Sequence, residues 1–202
     1  MKFGFIGAGA VAQTIARHVL PFGHEVLLSN SRGPQTLTAV VDKLGQGAAA
    51  GTPQQAADQD VVVLSVAWAD VPEALASVPD WSGRTLIDTT NRIERNNPRD
   101  LGDISGRTSS EIVADQAAGA KVVKAFNTVP MAWIDDPSPN RPKTVLFISG
   151  DDAVVKQALG EVLEQVGFAA VDLGSLAIGG RLQQVGGPLA ALNLTLVDRF
   201  ML

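Results

Sequence analysis

The chain has 202 residues, 46% of them hydrophobic, which is enough to build one large domain around a packed core. Its 16 basic and 21 acidic residues leave a net charge of -5, which argues against nucleic acid or an anionic membrane surface as a partner. The absence of cysteine excludes disulfides, a thiolate nucleophile and a cysteine metal site, and we predict no metal.

The chain begins directly on a predicted strand, with no charged and apolar leader before it. No apolar run is long enough to span a bilayer. We therefore expect a soluble, cytoplasmic protein.

The first strand, Phe3 to Ile6, is a short apolar run that breaks at once into glycine. The pattern Gly7-x-Gly9-x-x-Ala12 then opens a predicted amphipathic helix, as in the dinucleotide-binding fingerprint. Gly7 allows a sharp turn, Gly9 lets backbone approach a pyrophosphate, and Ala12 lets the helix pack closely on the strand. The helix N-terminus adds unpaired N–H groups and a partial positive charge for the phosphates. The alternative is a strand–turn–helix of small residues that binds no ligand.

The second predicted strand, His24 to Leu28, ends in the polar turn Asn30-Ser31-Arg32. NAD-binding chains carry an Asp or Glu here, about 20 residues after the glycines, to bond the ribose 2′-hydroxyl. This turn has no acid, and Arg32 offers a planar cation suited to a phosphate. We predict that Asn30, Ser31 and Arg32 select the 2′-phosphate of NADP; the alternative is a polar turn with a solvated arginine.

Later predicted strands bring further candidate residues to the same edge of the sheet. The most apolar of them ends in Ser65-Val66-Ala67-Trp68, and the next leads to Asn91. Loops at the carboxyl ends of parallel strands form the binding crevice, so we place both groups beside the cofactor. Asn91 is a candidate for contact with the nicotinamide carboxamide, and Trp68 has the equal alternative of a place in the core. The polar run from Arg92 to Gly106 is predicted to be a loop.

The pattern changes after a sixth predicted strand, Lys121 to Phe126. A proline-rich loop from Asp135 to Pro142 precedes a strand, a helix and another strand. Leu189 to Phe200 then shows helical periodicity with few charges. We predict a final apolar helix there, buried either in its own fold or in a homodimer interface.

The alternation of strands and helices predicts an α/β protein with a Rossmann doubly wound parallel sheet. We assign residues 1–134 to the dinucleotide-binding region. Residues 135–202 form a small C-terminal α/β extension that completes the same domain and the acceptor side of its cleft.

The chain has no tyrosine, and its only histidines are His18 and His24, on or just after the first helix. This excludes the tyrosine–lysine relay of short-chain dehydrogenases and a histidine acid placed far downstream. The chemistry is therefore expected to need no strong side-chain acid. Hydride exchange between two bound cofactors fits, because it needs orientation and exclusion of water.

Several stretches, in their order along the chain, are similar to one family. They are the N-terminal Lys-Phe-Gly-Phe-Ile-Gly-Ala-Gly, the Asn30-Ser31-Arg32 turn, Val61 to Trp68, Lys124 to Thr128, Ser149 to Asp152 and Val171 to Leu176. Together they resemble the NADP oxidoreductases that use the deazaflavin coenzyme F-420. The same fold is found in the cytosolic reductase domain of membrane metalloreductases.

This resemblance implies hydride transfer between the nicotinamide and a tricyclic ring stacked in one cleft, with no catalytic side chain. It assigns the pyrophosphate to Gly7, Ala8, Gly9, Ala10, Val11 and Ala12, and the 2′-phosphate to Ser31 and Arg32. The nicotinamide side is assigned to Ser65, Val66, Ala67, Trp68, Asn91, Ala125, Phe126 and Asn127. The acceptor side is assigned to Thr128, Pro130 and Met131, with coenzyme F-420, FMN or FAD as the co-substrate.

Three alternatives stay open at this point. One is a non-catalytic NADP(H)-binding sensor that regulates a partner, and another is a ferric or flavin reductase. The third is a small-imine or hydroxy-acid reductase, which is the weakest, because the chain is short for the helical substrate domain such enzymes add.

Overall fold

The computed structural model describes residues 1–93, 104–134 and 142–197. Most of the predicted loops from Arg92 to Gly106 and from Asp135 to Pro142 therefore lies outside the described residues. So do the last five residues of the chain. Within the described ranges, no helix has the length and apolar character needed to cross a membrane.

Eight strands form one sheet: β1 (Lys2–Ile6), β2 (Glu25–Ser29), β3 (Ala48–Ala50), β4 (Val61–Leu64), β5 (Thr85–Asp88), β6 (Lys121–Lys124), β7 (Val145–Gly150) and β8 (Ala169–Asp172). Their order across the sheet is β3-β2-β1-β4-β5-β6-β7-β8. The helices are α1 (Ala10–Val19), α2 (Thr38–Leu44), α3 (Pro53–Ala57), α4 (Val71–Ala76), α5 (Ser109–Gln116), α6 (Met131–Ile134), α7 (Ala153–Gln165) and α8 (Gly179–Gln183). The first six strands pair in parallel, with the chain winding outward from β1 in both directions. The predicted Rossmann fold is confirmed.

Both faces of the sheet are covered, as the continuous apolar run of β4 predicts. Val61 and Val63 point into a first core, which includes Ile15 of α1 and Leu163 of α7. The alternate residues of β4 point into a second core, which includes side chains of α4 and α5. This period of two places the helices on opposite faces and leaves the carboxyl ends of the strands open to a ligand.

The sheet departs from the predicted parallel pattern at β7, which runs antiparallel to β6. β7 thus enters the sheet from the carboxyl edge, and only its last two residues pair with β6. The rest of β7 stands beyond the end of β6, where it flanks the crevice.

The predicted final helix is wrong for the part of Leu189–Phe200 that the structure describes. Residues 189–197 form turns and an extended segment instead. Thr195 bridges to Thr144 in antiparallel fashion, and the N–H of Val145 donates to the carbonyl oxygen of Leu194 (2.8 Å). Pairing with the projecting start of β7 has overridden the helical periodicity. The homodimer stays a prediction, but residues 189–197 do not form the helix that was expected to make its interface.

Candidate dinucleotide-binding site

The turn from β1 into α1 depends on glycine at position 7. Gly7 has φ +101°, a conformation that residues with side chains rarely adopt. A Cβ built there would lie 2.0 Å from the carbonyl oxygen of Ser65, just after β4. The N–H of Gly7 donates to the carbonyl oxygen of Ser29 (3.0 Å) at the end of β2. Gly7 therefore ties together the carboxyl ends of three neighbouring strands.

Gly9, in contrast, is not required by the packing of the described chain. Its φ of -76° is ordinary, and a Cβ built on it would meet no atom within 4 Å. Gly9 caps α1 without a side-chain hydrogen bond, and the first turn of α1 carries no acidic residue. The space beside Gly9 thus lies at an uncapped helix N-terminus. This arrangement fits a pyrophosphate held by backbone N–H groups.

The other predicted pyrophosphate residues differ in exposure. Ala10 is exposed, and Ala8 and Val11 are half-buried, so all three border the turn. Ala12 is fully buried in the first core. Its small side chain serves the packing of α1 on the sheet, as the fingerprint predicts, and does not reach the surface.

A cavity of about 320 Å³ opens beside Gly7, with Asn30 and Ser31 in its lining. The Asn30 side chain shapes the turn after β2. Its Oδ1 accepts the N–H of Arg32 (3.0 Å), and its Nδ2 donates to Oγ1 of Thr36 (2.9 Å). Ser31 and Arg32 are exposed. The turn therefore presents a hydroxyl and a cation beside a cavity of a size suited to a nucleoside.

The sequence analysis did not predict that α4 and the turn before it line this cavity. Its lining also includes Ile6, Pro53, Val66, Asp70, Glu73, Ala74 and Ser77. Most of these come from α4 and the turn before it, and the signal was available, because a helix directly follows β4. Val66 shares the cavity with Asn30 and Ser31. Val66 therefore lies beside the turn after β2, whereas the sequence predicted it on the nicotinamide side.

Ser65, Ala67 and Trp68, the neighbours of Val66 in the chain, differ in their exposure and contacts. Ser65 is half-buried, and its N–H donates to the carbonyl oxygen of Ile6 (2.8 Å). Ala67 is exposed. Trp68 is half-buried and packs against the second core. The alternative assignment of Trp68 to the core is therefore the one its packing favours.

Asn91 and Asn127 meet at the carboxyl ends of β5 and β6, beyond β4 in the order of the sheet, and neither residue lines the cavity. Nδ2 of Asn91 donates to the carbonyl oxygen of Asn127 (2.9 Å), and Nδ2 of Asn127 donates to Oδ1 of Asn91 (3.2 Å). Asn91 is half-buried and Asn127 is 9% exposed. A dinucleotide that starts at the cavity and crosses α1 extends towards this pair.

The chain reaches Asn127 through a strained residue. Phe126 has φ +60°, the left-handed region that costs a residue with a side chain about 1–2 kcal/mol. Its ring is buried in the first core and meets Phe168 edge-on, with centroids 6.4 Å apart. Ala125 is also fully buried. The side chains of Ala125 and Phe126 therefore do not line the site as predicted, and the left-handed turn aims Asn127 at Asn91.

A buried ion pair lies at the carboxyl ends of β5 and β6, close in sequence to the two asparagines. Nζ of Lys124 lies 3.0 Å from Oδ2 of Asp88, and neither side chain is exposed. Oδ2 also accepts from Ser110 Oγ (2.5 Å), and Oδ1 accepts from the N–H and hydroxyl of Thr90. Burial by itself would raise the pKa of Asp88, but the Lys124 charge and these hydrogen bonds outweigh it and hold that pKa below its usual value. The Asp88 carboxylate is thus ionised, and both of its oxygens have partners.

The predicted acceptor side is only partly open. Thr128 is buried, and its carbonyl oxygen accepts the N–H of Ala191 (2.9 Å) from the C-terminal segment. Pro130 is exposed, and Met131 is half-buried against the first core. Pro130 and Met131 therefore remain available to a ligand, whereas Thr128 serves to anchor the C-terminal segment.

Both histidine side chains are buried and do not line the cavity. The His18 ring packs on Phe168, and its Nε2 contacts the carbonyl oxygen of Ile134. His24 precedes β2 at the opposite edge of the sheet, where its Nδ1 lies 3.2 Å from the N-terminal nitrogen of Met1. Across the residues that the structure describes, no cluster of three or more histidine, aspartate and glutamate side chains could hold a metal.

A strand–glycine turn–helix at the reversal point of a doubly wound sheet, with a nucleoside-sized cavity on one side, defines a dinucleotide-binding protein of the Rossmann class. Residues 2–92 match the family described as NADP oxidoreductase, coenzyme F-420-dependent. This match covers slightly less than half of the chain, and the N-terminal part of the chain is therefore similar to the NADP oxidoreductases of that family.

Three individual proteins are similar over most of this chain. A hypothetical protein, SMa0349 from Sinorhizobium meliloti, is 39% identical, with a TM-score of 0.88 over 96% of this chain and 95% of that one. A structure assigned as an F-420-dependent NADP reductase from Arthrobacter sp. FB24 is 24% identical, with a TM-score of 0.72 over 87% and 86% of the two chains, and shares the fold. The metalloreductase STEAP3 of Rattus norvegicus is 26% identical over 87% of this chain and 34% of its own length. The chain thus spans about one third of that curated relative.

Proposed function

We propose that this protein transfers hydride between NADP(H) and a deazaflavin such as coenzyme F-420, or a flavin-like acceptor. The observation that carries the proposal is the pairing of two features around β1. The first is the open space at Gly9, where a Cβ would meet no atom of the described chain within 4 Å. The second is the turn after β2, which presents Ser31 and Arg32 with no acid among residues 29–33. Together they fit a pyrophosphate and a 2′-phosphate.

The nucleotide would lie across the carboxyl edge of the sheet. Its adenosine half would occupy the cavity beside Asn30 and Ser31, with the 2′-phosphate on Arg32. Backbone N–H groups at the start of α1 would hold the pyrophosphate. The nicotinamide would then reach Asn91, two strands away from β1. NADP(H) supplies or accepts the hydride; the residues bind it, orient it and exclude water.

The acceptor would stack beyond the nicotinamide, near Pro130 and Met131. A reduced acceptor ring gains one hydride and takes its second hydrogen as a proton from water. This balance needs no side-chain acid. We favour a planar ring over a hydroxy acid or an imine because both histidines are buried and the chain has no tyrosine or cysteine.

An acceptor panel tests the proposal. The purified protein is mixed with NADPH and, in turn, with coenzyme F-420, FMN, FAD and ferric chelates, and the loss of NADPH absorbance is followed. We expect oxidation with at least one ring acceptor, and much slower oxidation when NADH replaces NADPH. Gly9→Ala serves as the control, because it should lower activity at limiting NADPH without unfolding the chain.

Two other functions have an observation in their favour. A non-catalytic NADP(H) sensor would explain why the described edge lacks a catalytic side chain, and no NADPH oxidation with any acceptor would favour it. A ferric reductase would accord with the similarity to a metalloreductase. Oxidation with ferric chelates but with none of the ring acceptors would move the proposal to that activity.

A further inference from the structure

The side chain of Gln183, in α8, joins the C-terminal extension to the nicotinamide end of the site. It is fully buried. Its Nε2 donates to Oδ1 of Asn127 (2.9 Å) and to the carbonyl oxygen of Lys124 (3.3 Å). Its Oε1 accepts from Oγ of Ser149 (3.0 Å), and its own carbonyl oxygen accepts from Nδ2 of Asn127 (2.7 Å). Gln183 thus holds Asn127 from two directions.

Backbone carbonyls fix which way these amides face. A carbonyl oxygen can only accept, so the Gln183 amide must turn its nitrogen to Lys124, and Asn127 must turn its nitrogen to Gln183. Both N–H groups of Asn127 are then used, one on Gln183 and one on Oδ1 of Asn91. Asn127 therefore has no N–H left to offer to a nicotinamide carboxamide.

Asn91 is in the opposite position. Its Nδ2 donates one hydrogen to the carbonyl oxygen of Asn127, and its second N–H has no partner among residues 1–93, 104–134 and 142–197. The side chain is half-buried at the carboxyl end of β5. Its plane is set by two hydrogen bonds to Asn127. The orientation of this second N–H is therefore fixed before a ligand binds. This favours binding, because the Asn91 side chain loses little conformational entropy when the ligand arrives.

We propose that Gln183 is a positioning residue for the cofactor: it fixes Asn127, which fixes Asn91, and the remaining N–H of Asn91 binds the nicotinamide carboxamide oxygen. This inference rests on the proposed function and deepens it. It assigns α8, which neither the glycine fingerprint nor the polar turn after β2 involves, to the recognition of the nicotinamide half. Asn127 is then a positioning residue and not a contact.

Two ligands separate this role from a merely structural one. Gln183→Met keeps the length of the side chain and removes its donors. NADPH affinity should fall by roughly 2- to 10-fold, the equivalent of one neutral hydrogen bond. The affinity for adenosine 2′,5′-bisphosphate, which has the 2′-phosphate but no nicotinamide, should not change. Titration calorimetry measures both.

Further variants guard against an unfolded protein. Ser149→Ala frees only Oε1 of Gln183 and should shift NADPH affinity in the same direction by a smaller factor. Gln157→Met makes the same exchange at an exposed glutamine of α7 that bonds Glu161, and should change neither affinity. Melting temperatures of all three variants are recorded beside the titrations.

The outcomes are distinct. Equal weakening of both ligands by Gln183→Met would reduce Gln183 to a packing role, and unchanged NADPH affinity would show that the network does not serve the cofactor. Either result overturns the inference and leaves the proposed function standing. A wild-type protein that binds neither ligand overturns both.

Discussion

Replacing Gly9 by alanine should change NADPH affinity but leave the stability of the fold almost unchanged. The new Cβ would meet no atom within 4 Å, and the backbone at φ -76° accepts it. Alanine loses less chain entropy on folding, which stabilises by about 0.4–1 kcal/mol, but it is a poorer helix N-cap by a similar amount. We therefore expect the free energy of unfolding of Gly9→Ala to stay within about 1 kcal/mol of the wild type.

The same methyl group would stand where the pyrophosphate approaches α1. Overpacking of this kind costs about 1–3 kcal/mol, which weakens NADPH binding by about 5- to 150-fold. Gly7→Ala is the matched contrast. Its Cβ would lie 2.0 Å from the carbonyl of Ser65, at φ +101°, so strain and overlap should lower stability by about 2–6 kcal/mol.

Urea unfolding and titration calorimetry on the two variants check both halves of this reasoning. The expected pattern is a stable Gly9→Ala that binds NADPH poorly, and a Gly7→Ala that is destabilised. Full NADPH affinity in a folded Gly9→Ala would refute the placement of the pyrophosphate. Loss of stability in Gly9→Ala would show that the open space is needed by the fold itself.

The remaining predictions concern charge. Arg32→Ala should weaken NADPH binding by about 1.5–3 kcal/mol, the range for a charge-assisted hydrogen bond, and hardly affect NADH; equal losses in calorimetry would contradict the 2′-phosphate role. Lys124→Met should lower the free energy of unfolding by about 3–5 kcal/mol, because it leaves the Asp88 carboxylate buried and unpaired. Lys143→Met, which breaks an exposed pair, should cost under about 1 kcal/mol, and equal losses in urea unfolding would refute the argument. Burial, and then the nearby N-terminal charge, lower the pKa of His24, so between its folded pKa and its usual value of about 6.5 the unfolded chain binds more protons. Stability should therefore fall as the pH drops through that window, and less so in His24→Phe; identical pH profiles would contradict this.

The strand–turn–helix at the start of the chain could be predicted from sequence because its signals are local. Gly7 acts through its backbone angle and Ala12 through its small size, and the structure shows Gly7 at a positive φ and Ala12 buried in the first core. The apolar run of β4 predicted a strand covered on both faces, since no side chain there could face water. The turn at Asn30-Ser31-Arg32 lies where the strand order put it, beside the cavity.

The other half depends on contacts between distant parts of the chain. Periodicity at Leu189–Phe200 suited a helix, but Thr195 pairs with Thr144, a partner that no local pattern reveals. Phe126 was assigned to the site by its neighbours, whereas its ring fills the first core beside Phe168. Gln183 carries no sequence signal at all. Its role depends on contact between α8 and the end of β6, since Gln183 lies 59 residues along the chain from Lys124.

The most direct test of the central claim is a titration of the wild-type protein with NADPH and NADH side by side. The account places a 2′-phosphate on Arg32, in a turn whose residues 29–33 include no acid. NADPH should therefore bind more tightly by about 10- to 150-fold, the equivalent of about 1.5–3 kcal/mol. Equal or tighter binding of NADH, or heat from neither ligand, would contradict the account.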